Sequence, residues 1–174
     1  MASSDSNLED LSTVEAALQS CHKALRDSDV FFGHGTDNPW DEAVQLVLSL
    51  NDLPLTSGDE VLSRAVAVNI QSQIARLLKT RLEQRIPMPY LLGKIDFAGV
   101  EFRCDARAII PRSPIAELIL NDFQPWYSGP PPARLLDLCC GGGCIGLSAA
   151  HYNPNLRVDL LDVDEQALSL ANEN

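Results

Sequence analysis

The sequence predicts an α/β chain built from an N-terminal helical bundle, a β-hairpin connection, and the first β-α-β-α unit of an incomplete parallel-sheet domain. Three observations predict it. Apolar residues recur at helical intervals through the first half, and they alternate on either side of Ala98-Gly99. Two apolar strands then flank a glycine loop between Leu135 and Asp162. The expected boundaries are 1–86 for the helices, 87–132 for the hairpin, short strand, helix and linker, and 133–174 for the closing unit.

The first helix is expected to open on a capping box at Ser12 and Glu15, with Val14, Leu18, Cys21 and Leu25 on one face. Helix two opens at Asn38 with Pro39 at its first position, and it carries Val44, Leu46, Val47, Leu48 and Leu50. Helix three is expected from a second capping box, Ser57 and Glu60, through Leu62, Val66, Ile70, Ile74, Leu77, Leu78 and Leu82 to about Gln84. Arg85-Ile86-Pro87-Met88-Pro89-Tyr90 ends the helices, because each proline biases its predecessor away from helix. Ile95 and Phe97, then Val100, Phe102 and Cys104, form the hairpin, and Ala108-Ile109-Ile110 reads as a short strand. A helix is expected from Pro114 to about Phe123, followed by a stiff linker from Gln124 to Pro132.

Formal net charge is −11, from 24 acids and 13 bases. Phosphate binding needs clustered Lys and Arg, so direct nucleic-acid binding is not expected. An acidic surface steers basic protein partners and also serves solubility. The N-terminus has neither the basic nor the apolar region of a secretory signal, and no apolar run approaches the roughly 20 residues that span a bilayer. Five cysteines, three of them at Cys139, Cys140 and Cys144, do not read as a disulfide framework, so a reducing cytoplasm is the expected location. Zinc needs four ligands and adjacent cysteines rarely serve one ion, so these thiols read as loop packing and no metal is expected.

The stretch Leu135 to Gly146 carries the chemistry. A glycine turn lets backbone N–H groups approach a ligand, and an acid after the next strand, Asp162, can grip ribose hydroxyls. Gly141, Gly143 and Gly146 satisfy G-x-G-x-x-G with Asp162 about 20 residues on, which is also the dinucleotide-binding fingerprint. Asp137 favours a different pattern, because a carboxylate within a strand buried on both faces is costly. Asp137 to Gly143 fits D-x-G-x-G-x-G, with Cys139 replacing the first glycine.

At these residues the chain resembles the class I S-adenosylmethionine-dependent methyltransferases. The resemblance implies an incomplete Rossmann-like methyltransferase domain with S-adenosylmethionine as cofactor. It implies that Asp137, Leu138, Cys139, Gly141 and Gly143 wrap the methionine portion while Asp162 holds the ribose. Further motifs narrow it. Arg85 to Gly93 is similar to the R-x-P-x-x-Y-L-x-G segment of the protein-(glutamine) methyltransferases that modify translation proteins, and Ile109-Ile110-Pro111-Arg112-Ser113-Pro114 matches the connection between their two domains. Phe32 to Ala43, with Gly33-His34-Gly35-Thr36-Asp37-Asn38, is very similar to the branch acting on large-subunit ribosomal protein L-three. The release-factor branch lacks that signature. The loop departs from the family at Cys140 and Gly142, where Thr and Ser are usual.

Residue type alone supports plainer readings. Gly33-His34-Gly35 is then a turn, with Asp37 or Asn38 capping helix two, and Trp40 is a core anchor. Pro111 and Pro114 fix the exit from a strand, leaving Arg112 a surface charge. The family resemblance makes Pro111 and Arg112 substrate-side candidates. It also implies methyl transfer to a glutamine amide nitrogen on a basic ribosomal protein, aided by an N-P-P-Y motif. That motif is absent here, so the chain reads as C-terminally truncated and inactive as written, with no catalytic residue of its own. A release-factor enzyme, a non-catalytic translation-protein adaptor and a dinucleotide oxidoreductase are the alternatives. The sequence is silent on oligomeric state.

Overall fold

The computed structural model describes residues 10–174. It is a mixed α/β chain in two compact units, one ending at Leu92 and the other spanning Gly93–Asn174. The first unit holds helices α1 (Val14–Arg26), α2 (Pro39–Leu50), α3 (Val68–Gln84) and α4 (Met88–Leu92), with a 3-10 turn at Asp59–Val61. The second holds strands β1 (Lys94–Phe97) and β2 (Val100–Arg103), helix α5 (Ile115–Leu120), strand β3 (Arg134–Leu138), helix α6 (Cys144–Tyr152), strand β4 (Arg157–Leu161) and helix α7 (Glu165–Glu173).

Helix α1 starts one residue later than its capping box implied. Thr13, not Ser12, is the N-cap, and its hydroxyl accepts the Ala16 N–H at 3.2 Å. Val14, Ala17, Leu18, Cys21 and Leu25 face inward. Helix α2 opens at Asn38 and Pro39, with the Asn38 side-chain oxygen accepting the Asp41 N–H at 2.9 Å. Ala43, Leu46, Val47 and Leu48 join α1, α3 and Met88 of α4 in one apolar core.

The third helix differs from the sequence expectation. It does not begin near Ser57, because the preceding chain is committed elsewhere. The carbonyls of Leu62 and Arg64 accept the N–H groups of Glu15 and Val14 at 3.0 Å, and Val66 N–H reaches the Ser12 carbonyl at 2.9 Å. Those pairings satisfy the orphan donors at the start of α1, and the same carbonyls are lost to a helix. Glu60 caps no helix at Ser57; its carboxylate accepts the Gly58 N–H instead. Helix α3 ends at Gln84, with Arg85 in the left-handed conformation. The proline segment was expected to be non-helical, yet α4 forms there, since Pro87 and Pro89 sit where a helix start needs no N–H.

In the second unit β1 and β2 pair antiparallel, Ile95 opposite Phe102 and Phe97 opposite Val100. Ala98 and Gly99, both with positive φ, make the tight turn. Ile95, Phe97 and Phe102 fill one face. The strand expected at Ala108–Ile110 is absent. Asp105 to Ala108 turns instead, held by the Asp105 carboxylate on the Arg107 N–H and guanidinium, and Ile109 lies in solvent. Helix α5 is shorter than expected, since Asp122 and Phe123 both take positive φ and stop it. Strands β3 and β4 run parallel, Asp137 beside Leu160 and Leu138 beside Leu161. No helix among the described residues is long and apolar enough to cross a membrane.

Candidate cofactor site

The candidate site is the turn from β3 into α6, together with the end of β4. Asp137 lies within β3 and is buried, and its Oδ2 accepts the Gly146 N–H at 2.8 Å. The carboxylate thus satisfies one donor of the first turn of α6 and sits at that helix's positive end. Packing favours glycine at 146. A Cβ there would stand 2.5 Å from Leu160 Cδ2 and 3.0 Å from Val158 Cγ1 on β4, and 3.1 Å from the Asp137 Cβ on β3, so glycine lets α6 lie close on both strands.

The loop between Leu138 and Cys144 bends through positive φ at Cys139, Gly141 and Gly143. At Gly143 the φ is +80°, and a Cβ would crowd Ala171, Leu147 and Leu160 at 3.1 to 3.2 Å. Cys139 adopts φ 62° with a side chain, at a steric cost, in the place where the D-x-G-x-G-x-G pattern has glycine. Inside the loop Gly143 N–H reaches the Cys140 carbonyl at 2.9 Å, and Cys140 N–H reaches the Leu161 carbonyl at 3.0 Å. The second bond joins the loop to the end of β4.

Asp162 completes the arrangement. Its Oδ2 accepts the Gly141 N–H at 2.8 Å and its Oδ1 accepts the Asp164 N–H at 3.0 Å. The Asp164 and Gly141 N–H groups, in that order, hold the Asp162 carboxyl below the usual carboxylate range. Asp162 is therefore ionised at neutral pH, and each oxygen keeps acceptor capacity beyond its backbone bond. Leu138 points away from the buried face of the sheet and is exposed.

The loop thiols take three environments. Cys139 is exposed and Cys140 half-buried, while Cys144 is buried. Burial, with the neighbouring Cys104 and Asp137, pushes the Cys144 thiol up to about 12. Burial also raises Cys140. Among the described residues no group of three or more His, Cys, Asp or Glu side chains is placed to hold a metal ion.

The structure thus brings together Asp137, Leu138, Cys139, Gly141, Gly143 and Asp162. Pro111 and Arg112 lie in the irregular segment between Ile110 and α5, Pro111 half-buried and Arg112 exposed. Sequence reasoning missed what surrounds the loop. A Cβ on Gly141 would come within 3.8 Å of the Ala108 methyl, so the turn after the hairpin flanks the loop. Arg107 bonds the Glu173 carboxylate at 2.5 and 3.0 Å. The Asn174 carboxamide reaches both Gly142 and Arg103. No local spacing signals these contacts, because their partners lie far apart in the chain.

Trp40 also departs from expectation. It is not a core anchor: it is more than a third exposed and meets His22 edge-on, ring centroids 5.3 Å apart.

Comparison with known proteins accords with this geometry. Residues 116–174 match the methyltransferase small domain family. The ribosomal protein uL3 glutamine methyltransferase of Xylella fastidiosa (strain Temecula1) is 42% identical over 166 residues, covering 95% of this chain and 53% of the relative. The protein of the same name from Xanthomonas campestris pv. campestris is 40% identical over 166 residues, covering 95% and 54%. The chain spans about half the length of the curated relatives it matches. A glycine loop and strand-end acid disposed in this way thus accompany a methyltransferase small domain match in the second unit and a likeness along 95% of the chain to ribosomal protein uL3 glutamine methyltransferases.

Proposed function

We propose that this chain is part of an S-adenosylmethionine-dependent methyltransferase that modifies the side-chain amide nitrogen of a glutamine in a large-subunit ribosomal protein of the L-three type. The observation that carries the reading is the 2.8 Å bond from Gly141 N–H to Asp162. It brings the strand-end acid against the glycine loop, so one ligand can touch both.

The residues fit a nucleoside cofactor. The loop turns on glycines at positive φ, where a Cβ on Gly143 would crowd Ala171, Leu147 and Leu160, and the nearby acid is anionic with spare acceptor capacity. Asp162 would take the ribose hydroxyls, and Leu138, Cys139, Gly141 and Gly143 would line the methionine portion. Asp137 would act from beneath, by fixing the Gly146 amide and hence the start of α6. S-adenosylmethionine supplies a methyl group activated by its sulfonium. An amide nitrogen is a poor nucleophile, so the protein's contribution is positioning and a suitable electrostatic setting.

The helices up to residue 86 are assigned to substrate recognition, 87–132 to the connection, and 133–174 to the start of the Rossmann-like cofactor domain. A net charge of −11 favours encounter with a basic ribosomal protein in the cytoplasm and disfavours direct nucleic-acid contact. Pro111 and Arg112 are the substrate-side candidates.

Calorimetry tests the cofactor assignment. S-adenosylmethionine should bind and NADH should not, and the reverse order would overturn it in favour of a dinucleotide enzyme. Titration with isolated ribosomal protein L-three and with a release factor tests the acceptor. Preference for the release factor would move the chain to the other branch of the family.

A further inference from the structure

The glycine loop is tied down from outside by the last residue of the chain. The Asn174 Nδ2 donates to the Gly142 carbonyl at 2.9 Å, while Asn174 Oδ1 accepts the Arg103 N–H at 2.8 Å. Nδ2 also lies 3.4 Å from the Arg103 carbonyl. One carboxamide therefore joins the loop to strand β2 of the hairpin. Its own position is set by α7, whose Glu173 grips Arg107 from the turn after β2.

The consequence lies in the peptide planes. The carbonyl of Gly142 and the N–H of Gly143 belong to one rigid peptide group. Asn174 holds the carbonyl end, and the Cys140 carbonyl holds the N–H end at 2.9 Å. The peptide between Cys140 and Gly141 is held in the same double fashion, its carbonyl by Gly143 N–H and its N–H by Asp162. Two of the three peptide planes between Cys140 and Gly143 are thus fixed at both ends. Glycines at these positions would otherwise sample many conformations. Preorganised backbone binds a ligand without the cost of ordering it.

We infer that Asn174 is a positioning residue for the glycine loop, holding the Gly142–Gly143 peptide in one orientation and coupling it to the hairpin at Arg103. Its effect on ligand affinity rests on the cofactor reading above; its effect on the loop does not.

Two variants separate these roles. Asn174→Ala removes both links. Asn174→Asp keeps an acceptor for the Arg103 N–H but replaces the donor to Gly142 with a second oxygen. Backbone amide exchange without ligand is expected to quicken at Gly143 in both variants and at Arg103 only in Asn174→Ala. In calorimetry both variants should bind S-adenosylmethionine about five- to tenfold more weakly, the worth of one well-placed hydrogen bond. If Asn174→Ala unfolds, Asn174→Asp carries the test alone. Unchanged Gly143 exchange in Asn174→Asp overturns the inference and leaves Asn174 a packing residue. Unchanged affinity in a protein that binds the cofactor overturns the link to binding. Should the unaltered protein take up no S-adenosylmethionine, the cofactor reading fails and the exchange result alone decides the role of Asn174.

Discussion

Arg81 on α3 and Glu42 on α2 form a buried ion pair, Nε to Oε1 2.6 Å, with side chains only 2% and 4% exposed. Arg81 Nη2 also donates to the Phe31 carbonyl at 2.7 Å, and its guanidinium lies 5.9 Å from the centre of the Phe32 ring. The pair therefore joins two helices and fixes the backbone that leads into Gly33-His34-Gly35. Removing one partner leaves the other charged and buried. Arg81→Met is expected to cost about 3–5 kcal/mol in denaturant unfolding. The double variant Arg81→Met with Glu42→Leu should recover much of that loss. A single variant as stable as the parent would show that the pair is not desolvated in solution.

Gly146→Ala tests the contact between α6 and the parallel strands. The added methyl would meet Leu160 and Val158 side chains and the Asp137 Cβ at 2.5 to 3.1 Å. A loss of about 1–3 kcal/mol is expected from overpacking. A shift of α6 that relieves these contacts stretches the bond from the residue-146 amide to Asp137, so that amide should also lose exchange protection. Wild-type stability and protection together would contradict the close packing.

Asp162 gives a pH signature. Its folded pKa is depressed by the Asp164 and Gly141 N–H groups, so the stabilisation is present above the unfolded pKa and lost as pH falls through the folded value. The window lies below about pH 4, the ordinary carboxylate range. Unfolding monitored from pH 7 to pH 2 should show the advantage of the parent over Asp162→Asn shrinking across that window. A constant difference at all pH values would show that ionisation of Asp162 does not matter to the fold.

Thiol reactivity should follow burial. Cys21 and Cys144 are pushed up to about 12 and Cys104 to about 11, each chiefly by burial. Cys139 is exposed. Iodoacetamide at about pH 8 should modify Cys139 first and leave Cys21, Cys104 and Cys144 until the protein is denatured, as read by peptide mass mapping. Early labelling of Cys144 would mean that the start of α6 opens readily.

Several of these features were legible in the residues alone. Asn38 before Pro39 marked the start of α2, because both the cap and the missing N–H are local properties. The glycines of the loop and the acid at Asp162 were visible for the same reason. Other features were hidden. Ser57 and Glu60 had capping-box spacing, yet the chain from Leu62 to Val66 pairs with the start of α1 instead. The pairing of Glu42 with Arg81 carries no local signal, because 39 residues separate them. Ala108-Ile109-Ile110 had strand composition, but the Asp105–Arg107–Glu173 network turns the chain there.

The sequence by itself determined the elements whose cause is local: helix caps, apolar periodicity, a tight hairpin turn and a glycine loop followed by an acid. The tertiary structure alone decided that Asp137 serves the Gly146 amide, that Asp162 holds Gly141, and that Asn174 ties Gly142 to Arg103. The physical reason is distance along the chain. A cap or a turn acts between residues a few positions apart, whereas each of these side chains selects its partner only after packing has brought separate segments within hydrogen-bond reach.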